Sequence, residues 1–352
     1  MKAVTEIRER WAPLDPAAGD HDLPGPGTRR STLEAILASP LDTRPDRASA
    51  HRRRPISRWV TAVTAAAGLT VLAAGLFAVH HRNRPADVVP PDGSVATPVL
   101  LSYQSPAGES GARERLLAVA DAAAAGPAPG PADLPEHLRI RSWSLFTRID
   151  DRRITSAIVP VDTELWRASD DSGRMVQRYG EPQFPNDGAR RSWDPPSGLD
   201  QTRTERYGAG EFPAMWRDRP PAATDSAAAW LRIGHPPENG PAETIVAVTD
   251  LARERVLTPG ERAAMLRVVA ALPGLKYHGS VEDRVGRTGV GFSVDSAYSG
   301  LMTRYMLIVD ERTGALLGHE EMLTRTAGKL GVAIPSVVSY EAYLVRNYAA
   351  IP

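Results

Sequence analysis

The sequence predicts an α+β protein: an N-terminal cytoplasmic tail, one transmembrane helix, and an exported domain with a curved antiparallel sheet packed on helices. Three observations carry this. Residues 59–79, WVTAVTAAAGLTVLAAGLFAV, hold no charge, no proline and no amide. Residues 138–180 and 276–348 read as two blocks of strands. Between them, 224–272 holds three segments with helical spacing and start signals. The expected division is a tail at 1–58, a membrane helix at 59–79, a linker with a short helix at 80–136, and an extracytoplasmic domain at 137–352.

The apolar run decides the topology. A helix of that length covers roughly 31 Å, the thickness of a hydrocarbon core. A buried helix of a soluble domain usually keeps a polar stripe, and here only Thr61, Thr64 and Thr70 interrupt. A cleaved export signal would be shorter and would lie at the extreme N-terminus. The chain has no cysteine, which excludes a lipid-modified lipoprotein signal and disulfide staples alike. Residues 44–58 carry Arg44, Arg47, Arg52, Arg53, Arg54 and Arg58, whereas 80–94 carry Arg82 and Arg84. This bias keeps the N-terminus in the cytoplasm, with Trp59 at the inner interface. Thr61, Thr64, Gly68 and Gly75 share one helix face, a small-residue stripe suited to helix packing in lipid.

The 42 basic residues balance 42 acidic ones, leaving no global field for nucleic acid. Only Lys2, Lys276 and Lys329 are lysines, a bias of GC-rich coding. In the tail, Val4, Ile7 and Trp11 form one apolar stripe and Leu33, Ile36 and Leu37 another, each available to a cytoplasmic partner. Beyond the anchor, the prolines of 83–98 give an extended linker, and 111–125 reads as an isolated helix. Strands follow at 138–149 and on either side of a DDSG turn at 170–173, then an irregular proline-rich stretch at 181–221. The first of the three helices starts on a Thr224 cap. The second places Ile245, Val248, Ala252 and Val256 on one face. The third has Thr258 as N-cap, Pro259 first in the helix, a capping box closed by Glu261, and Leu266 on its apolar face. A hairpin through ERTG at 311–314 and a short last strand, YLVRNY, end the pattern.

Motifs for chemistry are sparse. GxSxG, SxxK, HExxH and GxxxxGK[ST] do not occur. GRTGVG at 286–291 precedes a strand and reads as a hairpin turn. His319 is followed by Glu320 and Glu321, but in a strand those glutamates point to opposite faces. His137, His235 and His278 lack ligand spacing. The pairs Asp150-Asp151, Asp170-Asp171 and Glu282-Asp283 fall at expected turns, where carboxylates cap backbone donors. Trp143, Trp166, Trp193, Trp216 and Trp230 are expected in core and sheet packing or along an apolar groove. No catalytic, cofactor or metal residue is assigned.

The segments EIRERWAPLDP, TDSAAAWLR, DLARERVLTPGERAAMLRVVAALPGLKYHGSVEDRVGRTGVGFSV and LIVDERTGALLGHE, with the arginine-flanked anchor, carry a resemblance across nearly the whole chain. It resembles actinobacterial single-pass membrane proteins of undefined function, often encoded near extracytoplasmic-function sigma factors. The element order of its outer part is similar to RseB- and LolA-type domains, which cradle lipid or lipoprotein chains. The resemblance implies a link to sigma-factor regulation and no catalytic residues. The expected function is a membrane-tethered, non-enzymatic protein that binds or senses an envelope ligand, with the bilayer as a partner. The alternatives are a lipid or lipoprotein carrier on a tether, and a surface enzyme of unrecognised type.

Overall fold

The computed structural model describes residues 111–352, apart from 132, 146, 151–152, 185, 194, 196–198, 200 and 329, together with 95 and 97–102. The expected tail at 1–58, the anchor at 59–79 and its stripe of Thr61, Thr64, Gly68 and Gly75 lie outside the described residues.

Helix α1 (Ala112–Ala125) is followed by β1 (Glu136–Ser144), β2 (Thr147–Asp150), β3 (Arg153–Ser156), β4 (Val161–Arg167), β5 (Gly173–Tyr179), α2 (Asp187–Ser192) and β6 (Arg203–Tyr207). Then come α3 (Thr224–Leu231), α4 (Ala242–Glu254) and α5 (Pro259–Ala270). The strands β7 (Lys276–Glu282), β8 (Thr288–Ser296), β9 (Thr303–Val309), β10 (Leu316–Leu323) and β11 (Ser336–Tyr348) complete the order. Nine strands form one antiparallel sheet in the order β6-β5-β4-β1-β11-β10-β9-β8-β7, and β2 pairs with β3 separately.

The expected α+β class is corrected by this arrangement. The described residues are sheet-rich, 24% helix against 32% strand, and dominated by the single nine-stranded sheet. Among them no helix is long and apolar enough to cross a membrane. The physical reason is long-range pairing: β1 lies antiparallel to β11, with Ile140 opposite Tyr343 and Trp143 opposite Tyr340. The two strand blocks therefore fuse into one sheet, and the helices between them become a layer on one of its faces. The last strand is 13 residues long, not a short closing one. The run expected at 138–149 breaks after Ser144, and its second half turns away into β2. The stretch at 181–221, expected to be irregular, contains α2 and the edge strand β6.

Local signals hold where chemistry is local. Thr258 accepts from Glu261 N at 3.3 Å while Thr258 N donates to Glu261 at 2.8 Å, so the capping box is formed. The DDSG turn joins β4 to β5, with Asp171 at φ 57 and Ser172 N donating to Asp170 at 2.9 Å. Thr224, in contrast, is the first helical residue of α3, and Ala223 holds the cap position without a side-chain bond.

The main core lies between the helices and one sheet face. It joins Leu116, Val119 and Ala123 of α1, Ile245 and Leu251 of α4, and Met265, Leu266 and Val269 of α5 to Phe292, Leu307 and Val309 of the sheet. Each fully buried large side chain contributes about 1.5–3 kcal/mol, so α1 is part of the cooperative unit. The β9–β10 turn reaches this core. Asp310 accepts from Arg312 N and Thr313 N at 2.8 and 3.0 Å. Gly314 follows at φ 64, where an added Cβ would stand 2.4 Å from Ala123 Cβ and 2.9 Å from Leu266 Cδ1.

Gly274 offers a control, with φ 73 and nothing within 4 Å of an added Cβ. In residues 95–352, Gly274→Ala should cost about 1 kcal/mol of backbone strain. Gly314→Ala should cost a further 1–3 kcal/mol, roughly, from overpacking against α1 and α5. Chemical unfolding measures both; equal costs would show that the turn does not press on the helices.

Candidate functional site

Alternation along the strands gives the sheet two chemically distinct faces. On β9, Tyr305, Leu307 and Val309 join the helix-side core, while Met306 and Ile308 form a separate cluster with Val281 and Leu317 on the far face. A bulge at Leu317 shifts the β9–β10 register. Leu316 packs with the helices, and His319 and Glu321 return to the helix side while Glu320 stays on the far face. Bulges re-aim side chains in this way.

The far face carries a groove of about 450 Å³, lined by Arg304, Met306, Glu320, Met322, Thr324 and Pro335, with Leu100, Leu101 and Ser102 as one wall. That wall belongs to a strap within 95–102, whose described residues, 95 and 97–102, lie on the sheet without forming a strand of it. Val95 packs with Leu323 and Val332, and Leu101 packs on the cluster of Val281, Met306, Ile308 and Leu317. Thr97 Oγ1 accepts from Ser336 Oγ at 2.9 Å, and the Val99 carbonyl accepts from Arg284 Nη1 at 2.5 Å.

Arg284 belongs to the DRVGR turn between β7 and β8, residues 283–287, which organises this face. Its Nε donates to Glu320 at 2.6 Å, and its guanidinium lies 5.4 Å from the Tyr340 ring centroid. Asp283, buried, accepts from Val285 N, Arg287 N and the Arg287 guanidinium at 2.6–3.0 Å. Arg287 also donates to the carbonyls of Leu317 and Tyr343, each at 2.7 Å. The turn thereby staples β10, β11 and the strap. In the sequence Asp283 reads as a turn residue and the two arginines carry no motif; the local signal is an acid followed four residues later by an arginine across a glycine.

The groove's charges are paired internally. Arg304 donates to Asp295 at 2.9 Å, and Lys276 does so at 3.0 Å. Burial opposes the charge on Asp295, but these two cations outweigh it and hold its pKa below the usual carboxylate value. On the same face His278 Nε2 lies 2.7 Å from Ser293 Oγ. A serine beside a histidine suggests a nucleophile and its base. Ser293 is wholly buried, however, and burial lowers His278 to about 4, a poor base at neutral pH. The pair is structural. Towards β1 and β4 the far face becomes ionic, with Arg141 on Asp162 at 2.7 Å and His137 on Glu164 at 2.9 Å.

A second polar assembly is buried between α4 and the sheet. His235 places Nδ1 2.8 Å from Glu243 and Nε2 3.3 Å from Asp250. Its ring stacks on Trp216, which stacks in turn on Trp230. Arg253 bonds Asp250 and reaches Glu341 of β11 at 2.5 Å, and Tyr343 donates to the other oxygen of Glu341 at 2.6 Å. A neutral imidazole has one N–H, whereas two carboxylates face this one; the imidazolium bonds Glu243 through Nδ1 and forms an ion pair with Asp250 on its Nε2 side. Burial works against that charge, yet Asp250 and Glu243 raise the His235 pKa to about 9. Burial takes His319, directly opposite Glu341, down to about 4, and pushes Glu321 up to about 7.

The structure separates the residues that the sequence set side by side. Glu320 lies in the groove and Glu321 faces α4. Among the described residues no group of three or more His, Asp or Glu side chains is arranged to hold a metal ion. Trp143, Trp166 and Trp216 are buried, and GRTGVG is a turn feeding β8, where Gly289 and Gly291 allow close packing on Val309 O and Val281. Compared with known proteins, the chain matches no family model, no curated protein and no solved structure.

The ionic layer sets a pH dependence. His235 gains proton affinity on folding, so its contribution is complete below pH 6.5 and is lost as pH rises through about 9. His278 and His319 act oppositely: their contribution is present above 6.5 and is lost as pH falls through about 4. The Tm of residues 95–352 should therefore fall on both sides of its maximum. His235→Gln should flatten the alkaline limb and leave the acid limb; an unchanged alkaline limb would remove His235 from this role.

Proposed function

We propose that this chain is a membrane-tethered, non-enzymatic binding and sensing protein of the cell envelope. Residues 59–79 are the anchor, 1–58 the cytoplasmic side, and 111–352 a domain outside that receives a ligand in the far-face groove. One observation carries this reading. The strap at 95–102, which follows the apolar run and its linker in the chain, forms a wall of the groove. A ligand entering there meets the segment that leads to the anchor. The non-enzymatic part is supported by the sealed Ser293–His278 pair and by the internal pairing of Arg304 and Glu320. The carrier alternative draws less support, because Phe292, Leu307, Ile245 and Leu251 fill the helix-facing side of the sheet.

The cysteine-free sequence supplies the test. Single cysteines are placed at Ser299, in an exposed loop, and at Ser49, and intact cells are treated with a membrane-impermeant maleimide. Ser299→Cys should label in intact cells, and Ser49→Cys only after lysis. The reverse pattern, or no labelling of Ser299→Cys until lysis, would sink the proposed topology.

A further inference from the structure

We infer that the strap is a resident occupant of a peptide site, and that an extended apolar segment of a partner protein takes its place. The inference rests on the groove assigned above and adds the chemistry of its ligand. The way in which the strap is held points to a peptide. A guanidinium grips the backbone carbonyl of Val99, a group that recurs at every residue of a peptide and only once, at the ester end, in an acyl chain. An apolar depression formed by Val281, Met306, Ile308 and Leu317 receives one side chain, Leu101. Met322 continues the floor beside Met306, and their flexible thioethers adapt to varied apolar side chains. Arg304 and Glu320, the charged groups lining the groove, are already paired with Asp295 and Arg284, so the site selects for an uncharged segment.

The strap is also built to leave. Its described residues form no strand of the sheet, and the bonds at Thr97 and Val99 come from the side chains of Ser336 and Arg284. Val99 is 84% exposed and Leu100 43%, so much of its apolar surface gains nothing from docking. Segments with few buried contacts and no ladder open at the lowest free-energy cost. A tethered occupant acts at an effective concentration of roughly millimolar order. It therefore masks the site from weak ligands and yields to one that fills the Met306–Met322 floor as well.

The experiment uses the full chain in lipid nanodiscs and a fluorescein-labelled peptide of residues 95–102, VATPVLLS, as the probe. Leu101→Asp in the chain should release the strap, because a carboxylate cannot occupy that apolar depression. A second variant, in which 97–102 are replaced by glycine and serine, covers any failure of the first to fold. Peptide binding, read by fluorescence anisotropy, should tighten about tenfold or more in either variant relative to wild type, as expected when a tethered competitor is removed. A peptide carrying Asp in place of its second leucine should not bind. Equal peptide affinity for wild type and both variants, or binding that ignores the Leu-to-Asp change, would overturn the proposal. So would release of the strap by lysophospholipid in place of peptide. Failure here with Ser299→Cys labelled from outside leaves the tethered domain standing and removes only the peptide; a reversed labelling pattern does the opposite.

Discussion

A buried carboxylate, Glu136, holds the sheet to its helices. It opens β1, and its oxygens accept from Val256 N at 3.1 Å, Arg219 at 3.0 Å and Arg255 at 2.9 Å. Arg219 continues to Glu261, the residue that closes the capping box of α5, and to the carbonyl of Val256. Burial opposes the charge on Arg219, but Glu261 and Glu136 outweigh it and raise its pKa. Through this one group the first strand, the loop at 216–219, the α4–α5 turn and the start of α5 share one network. Removing one partner of such a buried network typically costs about 3–5 kcal/mol, although an apolar replacement of the whole can be neutral. The network therefore acts chiefly by exclusion: any other docking of the helices leaves charges buried and unpaired.

The same logic extends along α4. Glu243, Asp250 and Glu254 are all buried, and each is answered: Glu243 by His235 and Asn239, Asp250 by His235 and Arg253, Glu254 by the amides of Met215 and Trp216. A helix whose apolar face holds Ile245 and Leu251 is thus also fixed in rotation by its acids. Apolar contact alone tolerates sliding. The pairing of Arg253 with Glu341 sets which turn of α4 faces which strand.

How much of this the sequence discloses follows from the range of each interaction. Thr258 with Glu261, Asp170 with Ser172 and Asp310 with Thr313 act within a few residues, and their turns and caps are readable in order. The pairing of β1 with β11 is not, since nothing near Ile140 names Tyr343. Hence the single sheet is legible, but its nine-strand extent and the sheet-rich balance that follows from it are not. Buried acids mislead in a second way: Glu136, Asp250 and Glu341 have the composition of a solvated face, and only partners distant in sequence reverse that reading. The bulge at Leu317 is a third case, because one extra residue decides which way His319 and Glu320 point. The strap escaped for a simpler reason. Its Pro98 and the prolines before it read as linker, and the wall it builds depends on Arg284, far along the chain.

Filling of the helix-facing side moves the question of binding to the far face, and there the geometry constrains how binding can matter. A ligand shifts an equilibrium only by its difference in affinity for the two states. One that settles on Met322 and Pro335 beside a docked strap binds both states alike and leaves the strap in place. One that needs the carbonyl grip of Arg284 or the depression under Leu101 competes with the strap, and its binding free energy appears as strap release. Release of the strap by a ligand, on this fold, requires competition for those two points. The DRVGR turn is then the pivot, because Arg287 binds it to β10 and β11 while Arg284 keeps one donor on the sheet through Glu320 and offers another to whatever chain lies above it.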